Sequence, residues 1–236
     1  MQLQASRPKA DFLEELSPPP TVKSFSVSPE HFVRKDLRED GVITPVRVQM
    51  PCNSCTSHGF CAVIESYCLS MTASDIELAA GWMHTCLAQA HCHSGVSIRG
   101  LAELLPGQMI PLAQQGSYPW EPAQCNVTGQ YPAPALRQLL GAEQIRAAIL
   151  NGYPVVTGMW AQDDFLTWPG GDIYAPQDKN GSFQHVVCLV GFDDHNRYWI
   201  AKNSYGSDWG DNGYVSIAYG HCGIGQLYHA YCAEIA

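Results

Sequence analysis

Beyond Pro154 the sequence changes character: PVVTGMW, HVVCLVGF, RYWIAKNS and GYVSIAY are short runs rich in β-branched and aromatic residues. Turn residues such as Asp193-Asp194-His195-Asn196 separate them, so they read as successive strands. The chain before them has a helical period instead. From Cys55 to Leu69, the residues Phe60, Val63, Ile64, Tyr67 and Cys68 recur at helical spacing, with Asn53 or Ser54 available as a cap. Ser74-Asp75-Ile76-Glu77 has the capping-box pattern ahead of LAAGWMHTC and predicts a second, shorter helix. A loop-rich stretch follows to about residue 140, and GAEQIRAAILNG predicts a helix closed by Asn151-Gly152. Helices segregated from strands imply an α+β protein, with a helical lobe against a sheet or barrel lobe and a ligand cleft between them. Residues 1–30, rich in Pro and Ser, read as an extended arm. The folded domain is expected over 31–236, its helical lobe at about 50–140 and its β-rich lobe at about 141–230.

Composition excludes several classes of function. Hydrophobic residues make up 46% and charged residues 15% of 236, enough apolar surface to offset chain entropy by burial. A net charge of -9 without a Lys/Arg run repels phosphate backbones and anionic lipid, so nucleic acid is not an expected partner. No apolar run reaches the roughly 18 to 20 residues that span a bilayer, so membrane insertion is not expected. Two signals about compartment conflict. Ten cysteines favour oxidising surroundings, whereas the first twenty residues have neither the apolar core nor the cleavage pattern of a signal peptide.

Cys52-Asn53-Ser54-Cys55 opens the first helix, and its residues permit three readings: a redox pair, half of a metal site, or a structural cysteine beside a nucleophile. His84, Cys86, His91, Cys92 and His93 add enough ligands for zinc. A redox Cys-x-x-Cys belongs in a βαβ context, but helices and loops follow here. A thiol at a helix N-terminus meets partial positive charge and free N–H groups, which favour thiolate. As a nucleophile Cys55 then needs a base and a group to orient it. His185 opens one strand segment and Asn203 ends another, 130 and 148 residues after Cys55, the interval found in papain-type proteases.

Four segments in order carry a resemblance to that family over residues 32 to 227. DLREDGVITPVRVQ resembles the opening of its mature domain and ends in the oxyanion-hole glutamine, here Gln49. SYPWEPAQC resembles its Tyr-Pro-Tyr segment before a disulfide cysteine, while Cys52-Asn53-Ser54-Cys55-Thr56 meets only in part the family's C-G-[SA]-C-[WY] signature. HVVCLVGFDD and YWIAKNSYGSDWGDNGYVSIAYG resemble its His strand and its Asn-Ser-Trp-Gly segment. The resemblance implies a papain-like two-lobe fold, with Cys55 as nucleophile, His185 as its imidazolium partner and proton donor, and Asn203 orienting the ring. Gln49 and the Cys55 N–H would bind the oxyanion. Trp209 would flank the leaving-group side and Gly95 pair with extended substrate. Val96, Gly158 and Leu227 would line the specificity pocket. Cys52 would bridge to Cys92 and Cys86 to Cys125. Cys222 matches a third disulfide position without a matching partner.

The departures are Thr56 and Tyr205, each where the family usually has Trp, and His58 where it usually has an aromatic. Tyr205 would cover the Asn–His hydrogen bond less completely than Trp, and His58 reads as a packing variant. The resemblance implies a cysteine peptidase acting on peptide or protein substrates, with no cofactor and no metal. An acyl transferase or amide-forming or amide-cleaving enzyme with a small dedicated substrate is the alternative. A catalytically silent binding protein is the third reading, and retention of Cys55, His185, Asn203 and Gln49 together argues against it.

Overall fold

The structure, a computed structural model, describes residues 33–177, 181–226 and 229–233. The expected domain start at His31 and the pocket candidate Leu227 lie outside them. Strand β1 (Arg34–Asp36) precedes the long helix α1 (Cys55–Thr72), and a short helix α2 (Ala80–Trp82) continues into a π-helical turn, Met83–Leu87. Helix α3 (Ile98–Leu104) and strands β2 (Met109–Ile110), β3 (Tyr131–Pro132) and β4 (Leu136–Leu139) follow. Then come α4 (Gly141–Leu150), β5 (Val155–Ala161), β6 (Ile173–Tyr174), β7 (Phe183–Asp193), β8 (Tyr198–Lys202), β9 (Tyr214–Ala218) and β10 (Ala230–Ala233).

Eight strands form one sheet in the order β4-β10-β5-β7-β8-β9-β6, with β1 added against the far end of β7. All pairings are antiparallel except β6 with β9. β1 and β4 come from outside the expected β-rich interval. β7 reads in sequence as an unbroken apolar run because both its faces are covered. Val186, Cys188 and Val190 join the core under α1, while Val187 and Leu189 join the core under α4. The alternation is the period of two of a strand. A register shift between Leu189 and Gly191 changes its phase, so Phe192 falls on the α4 side.

Helix α1 is buried from Cys55 through Ser66, as a helix at the centre of a fold must be. It approaches the sheet at Gly59, where an added Cβ would lie 2.7 Å from Val156 Cγ2 and 3.0 Å from Val186 Cγ1. A glycine at this point lets the helix backbone sit directly on β5 and β7, one turn after Cys55.

Two sequence expectations need correction. Ser74-Asp75-Ile76-Glu77 caps no helix. Glu65 Oε1 accepts from the Leu78 N–H at 2.9 Å, Ala113 N–H donates to Glu77 O and Ala79 N–H to Pro111 O, so the segment pairs with a neighbouring strand-like stretch. The stretch expected as loop contains α3, which starts at a Ser97 cap accepting from the Gly100 N–H. α4 closes at Asn151 and Gly152 as expected, with Asn151 Nδ2 donating to Ala147 O at 2.7 Å and Gly152 at a φ of +88°.

Candidate active site

Cys55 is the first residue of α1. The segment leading to it is fastened on two sides. Gln49 N–H donates to Ser204 O at 2.8 Å, and Gln49 Oε1 accepts from Ser204 Oγ at 2.7 Å. Opposite, a disulfide joins Cys52 to Cys92, Asn53 N–H donates to Cys92 O at 2.7 Å, and Asn53 Nδ2 donates to His93 O at 2.8 Å. One residue past the thiol, Thr56 Oγ1 donates to Val96 O at 2.7 Å. Gly95 and Val96 are thereby tied to the helix start. The second disulfide joins Cys86 to Cys125. Cys52, Cys86 and Cys92 are therefore not available as thiolate ligands, and Cys55, Cys61, Cys68, Cys188, Cys222 and Cys232 lie outside the two disulfides.

His185 lies near the start of β7, paired with Met159, and its neighbour Val186 pairs with Gly158. Its orientation follows from hydrogen-bond chemistry. Asn203 Oδ1 accepts the Ser204 N–H at 2.8 Å, which fixes that atom as oxygen, and it lies 2.7 Å from His185 Nε2. Nε2 must therefore carry a proton and donate. Nδ1 is the nitrogen left for chemistry, and it faces the Tyr205 hydroxyl at 3.5 Å. Aromatic rings close the surroundings: Phe165 stands 5.7 Å and Tyr205 4.9 Å from the imidazole, centroid to centroid. Trp209 packs on Phe165 at 4.9 Å and donates from Nε1 to Phe165 O at 2.9 Å.

The thiol is tied to the same place. Hydrogen bonding from the backbone of Val186, next to His185, acts on the Cys55 sulfur. Cys55 is 6% and His185 3% exposed, and burial governs both. It pushes the Cys55 thiol up to about 11, against the hydrogen bonding from Val186 and Thr56, and lowers His185 to about 4, against its bond to Asn203.

Several participants carry no signal in the sequence. Ser54 makes no capping bond; its Oγ lies 2.7 Å from Tyr118 Oη and 3.2 Å from His58 Nδ1. Tyr118 Oη also donates to Gln49 O. His58, read as a packing variant, is thus part of a polar network that reaches Ser54, next to Cys55, and Gln49, and burial lowers it to about 4. Behind the site, Glu65 Oε2 accepts from Thr44 Oγ1 at 2.8 Å, and Lys202 Nζ donates to the same hydroxyl at 3.1 Å. Glu65 and Lys202, with His58 and Asn203, border a cavity of about 20 Å³, room for one water molecule. Polar groups that meet only in the fold leave no local pattern; Glu65 and Lys202 are 137 residues apart in sequence.

A sequence model described as papain family cysteine protease matches residues 29–232. Cathepsin J of Mus musculus is 30% identical over 217 residues, 82% of this chain and 63% of its own length. Cathepsin J of Rattus norvegicus is 29% identical over 230 residues, 87% of this chain and 66% of its own. The chain spans somewhat under two thirds of these relatives. A Carica candamarcensis cysteine protease superposes with a TM-score of 0.72 at 25% identity, covering 86% of this chain and 99% of that one. A structure from work on the mite allergens Blo t 1 and Der p 1 shares the fold at a TM-score of 0.75 and 23% identity, covering 93% of this chain and 76% of that one. Matched by the family model over most of its length, the chain belongs to the papain family of cysteine proteases.

Proposed function

We propose that this protein is a cysteine peptidase that cleaves peptide bonds through a thioacyl-enzyme on Cys55. The observation that carries the reading is the orientation of His185: with Nε2 committed to Asn203 Oδ1 at 2.7 Å, the imidazole has one orientation and one free nitrogen, Nδ1. When substrate enters, Cys55 Sγ attacks the carbonyl carbon and its proton passes to Nδ1. The carbonyl oxygen gains negative charge beside the Cys55 N–H and the Gln49 side-chain amide. In the empty site Gln49 Nε2 donates one hydrogen to Cys52 O at 3.1 Å, which leaves its other hydrogen for the oxyanion. Removing one such donor costs roughly 3 to 4 kcal/mol in other proteases. Collapse of the tetrahedral intermediate breaks the C–N bond, and the proton on Nδ1 leaves with the amine. Water, deprotonated by Nδ1, then attacks the thioester; the acid leaves and the thiol is restored.

Asn203 acts by holding the ring, and Tyr205, Phe165 and Trp209 by keeping water from the Asn203–His185 bond. Gly95, Val96 and Gly158 are assigned to substrate contact because they sit on the segments bonded to Thr56 and Val186. The test is a diverse peptide pool with a free amine, under mild reduction, read by mass spectrometry beside Cys55→Ala. Cleavage at many sites that the variant loses is the expected result. Amine adducts in place of hydrolysis would move the assignment to acyl transfer, and an equally active Cys55→Ala would refute it.

A further inference from the structure

Tyr118, in the loop 116–121, reaches across to the segment that leads into Cys55 and meets both of its ends. Tyr118 Oη donates to Gln49 O and lies 2.7 Å from Ser54 Oγ, and Ser54 Oγ lies 3.2 Å from His58 Nδ1. Hydrogen-bond chemistry fixes the direction of every link. Gln49 O can only accept, so the single Tyr118 hydroxyl proton goes there. Tyr118 Oη then accepts, and the Ser54 hydroxyl proton is committed to it. Ser54 Oγ accepts in turn from His58 Nδ1, which must carry a proton. The same N–H faces Ser54 O at 3.1 Å, another atom that can only accept. One chain of donors thus runs from His58 through Ser54 and Tyr118 to Gln49.

Two features mark this chain as built rather than incidental. Ser54 stands at the N-cap of α1, where a serine hydroxyl ordinarily accepts from the N–H groups of the first turn, yet it makes no capping bond. Its hydroxyl is committed to Tyr118 and His58 instead. The Tyr118 ring is also fixed in place: a Cβ on Gly81 would lie 3.0 Å from Tyr118 Cδ2, and the His58 ring meets Tyr118 edge to face at 5.7 Å. At the far end of the chain Gln49 O accepts the Cys52 N–H as well, at 3.0 Å, so both of its lone pairs are engaged.

We propose that Tyr118, oriented by Ser54 and His58, is a positioning residue for the oxyanion site: its hydroxyl clasps the Gln49 carbonyl to the start of α1 and so sets the separation between the Gln49 side-chain amide and the Cys55 N–H. The proposal rests on the reading of those two groups as the oxyanion donors of a Cys55 peptidase. The clasp gives no proton to the oxyanion itself. It closes the segment 49–54 at its mouth, so that the donors carried at its two ends do not spread as charge builds on the oxygen between them. His58 has its own part in this. A phenyl ring in its place would fill the same space but leave Ser54 Oγ without a donor, free to turn back and cap the first turn.

The test compares wild type with Tyr118→Phe, Ser54→Ala and His58→Phe, each also in a Gln49→Ala background. The readouts are kcat and KM on a cleaved peptide, inhibition by a peptide aldehyde, and the rate at which iodoacetamide alkylates Cys55. With the aldehyde, the Cys55 sulfur bonds to the carbonyl carbon and the thiol proton passes to the aldehyde oxygen, giving a tetrahedral adduct whose oxygen lies at the oxyanion site. Alkylation displaces iodide and makes no such oxygen. Tyr118→Phe keeps the ring and is expected to lower kcat about tenfold and weaken the aldehyde by a similar factor, with KM and alkylation within about twofold of wild type. Ser54→Ala moves the same way and serves if Tyr118→Phe folds poorly; His58→Phe gives a smaller loss in the same direction. In the Gln49→Ala background the losses shrink to about twofold. Unchanged kcat and aldehyde inhibition in Tyr118→Phe and Ser54→Ala, an equal fall in alkylation, or the same loss with and without Gln49 would each overturn the proposal. A wild type that cleaves no peptide and forms no aldehyde adduct on Cys55 would instead remove the peptidase reading, and the proposal with it.

Discussion

At the residue scale, the titration of buried histidines sets how the protein responds to acid. His58 and His185 both fall to about 4 in the folded state against roughly 6.5 when unfolded, because burial disfavours their charged forms. Below the unfolded value the unfolded chain binds protons that the native state refuses, so stability is full above about pH 6.5 and lost as pH falls toward 4. The loss is on the order of 3 kcal/mol for each residue at the lower limit. Asp36 and Asp194, held below the ordinary carboxylate range against their own desolvation by bonds from Arg38 and Arg146, withdraw their contribution only at lower pH. Urea unfolding at pH 7 and pH 5 is expected to show the drop in wild type and a shallower one in His58→Phe; equal slopes would mean that His58 is not buried neutral. Asn203→Ala leaves the His185 ring unanchored and is expected to lower kcat by about 10²-fold with a smaller change in KM, measured on any substrate found in the peptide pool. Gln49, Cys55, His185 and Asn203 could be singled out as candidates from the sequence, since each stands in a short segment with its own pattern. The Ser54–Tyr118 contact could not, because it spans 64 residues and no local pattern records it.

At the element scale, the site depends on how closely α1 sits on the sheet. Gly59→Ala adds helix propensity of roughly 0.5 to 1 kcal/mol, but its Cβ would meet Val156 and Val186 at 2.7 and 3.0 Å. Overpacking of this kind costs about 1 to 3 kcal/mol, so the net effect is destabilising. Val186 follows His185, so activity should fall beyond what the lost stability explains; an unchanged Tm and kcat would show that α1 can shift without moving the pair. The disulfide between Cys52 and Cys92 has a different task, joining the nucleophile segment to the Gly95–Val96 strip. Replacing both cysteines by Ala is expected to cost about 2 to 4 kcal/mol and to raise KM, read by thermal unfolding and steady-state kinetics. The strands after Pro154 were legible because their buried positions are dense in β-branched and aromatic residues. The capping-box segment misled because Glu65, a residue of α1 outside the segment's own pattern, reaches across to take the Leu78 N–H and holds the backbone extended there.

At the scale of the whole molecule, the sheet and α1 bring together residues separated by more than a hundred positions and enclose them. The α+β class and the helical-then-stranded order followed from local patterning, whereas the entry of β1 and β4 into the sheet required long-range pairing that neither segment announces. The central claim is that acyl transfer passes through Cys55 sulfur with His185 as its proton carrier. Acid quenching of the protein during turnover of a cleaved peptide, followed by intact and peptide mass analysis, measures this directly. The account predicts a transient adduct of the acyl fragment's mass on Cys55, absent from Cys55→Ala and slow to form in His185→Ala. An adduct on another residue, or turnover with no adduct and full activity in Cys55→Ala, would contradict it.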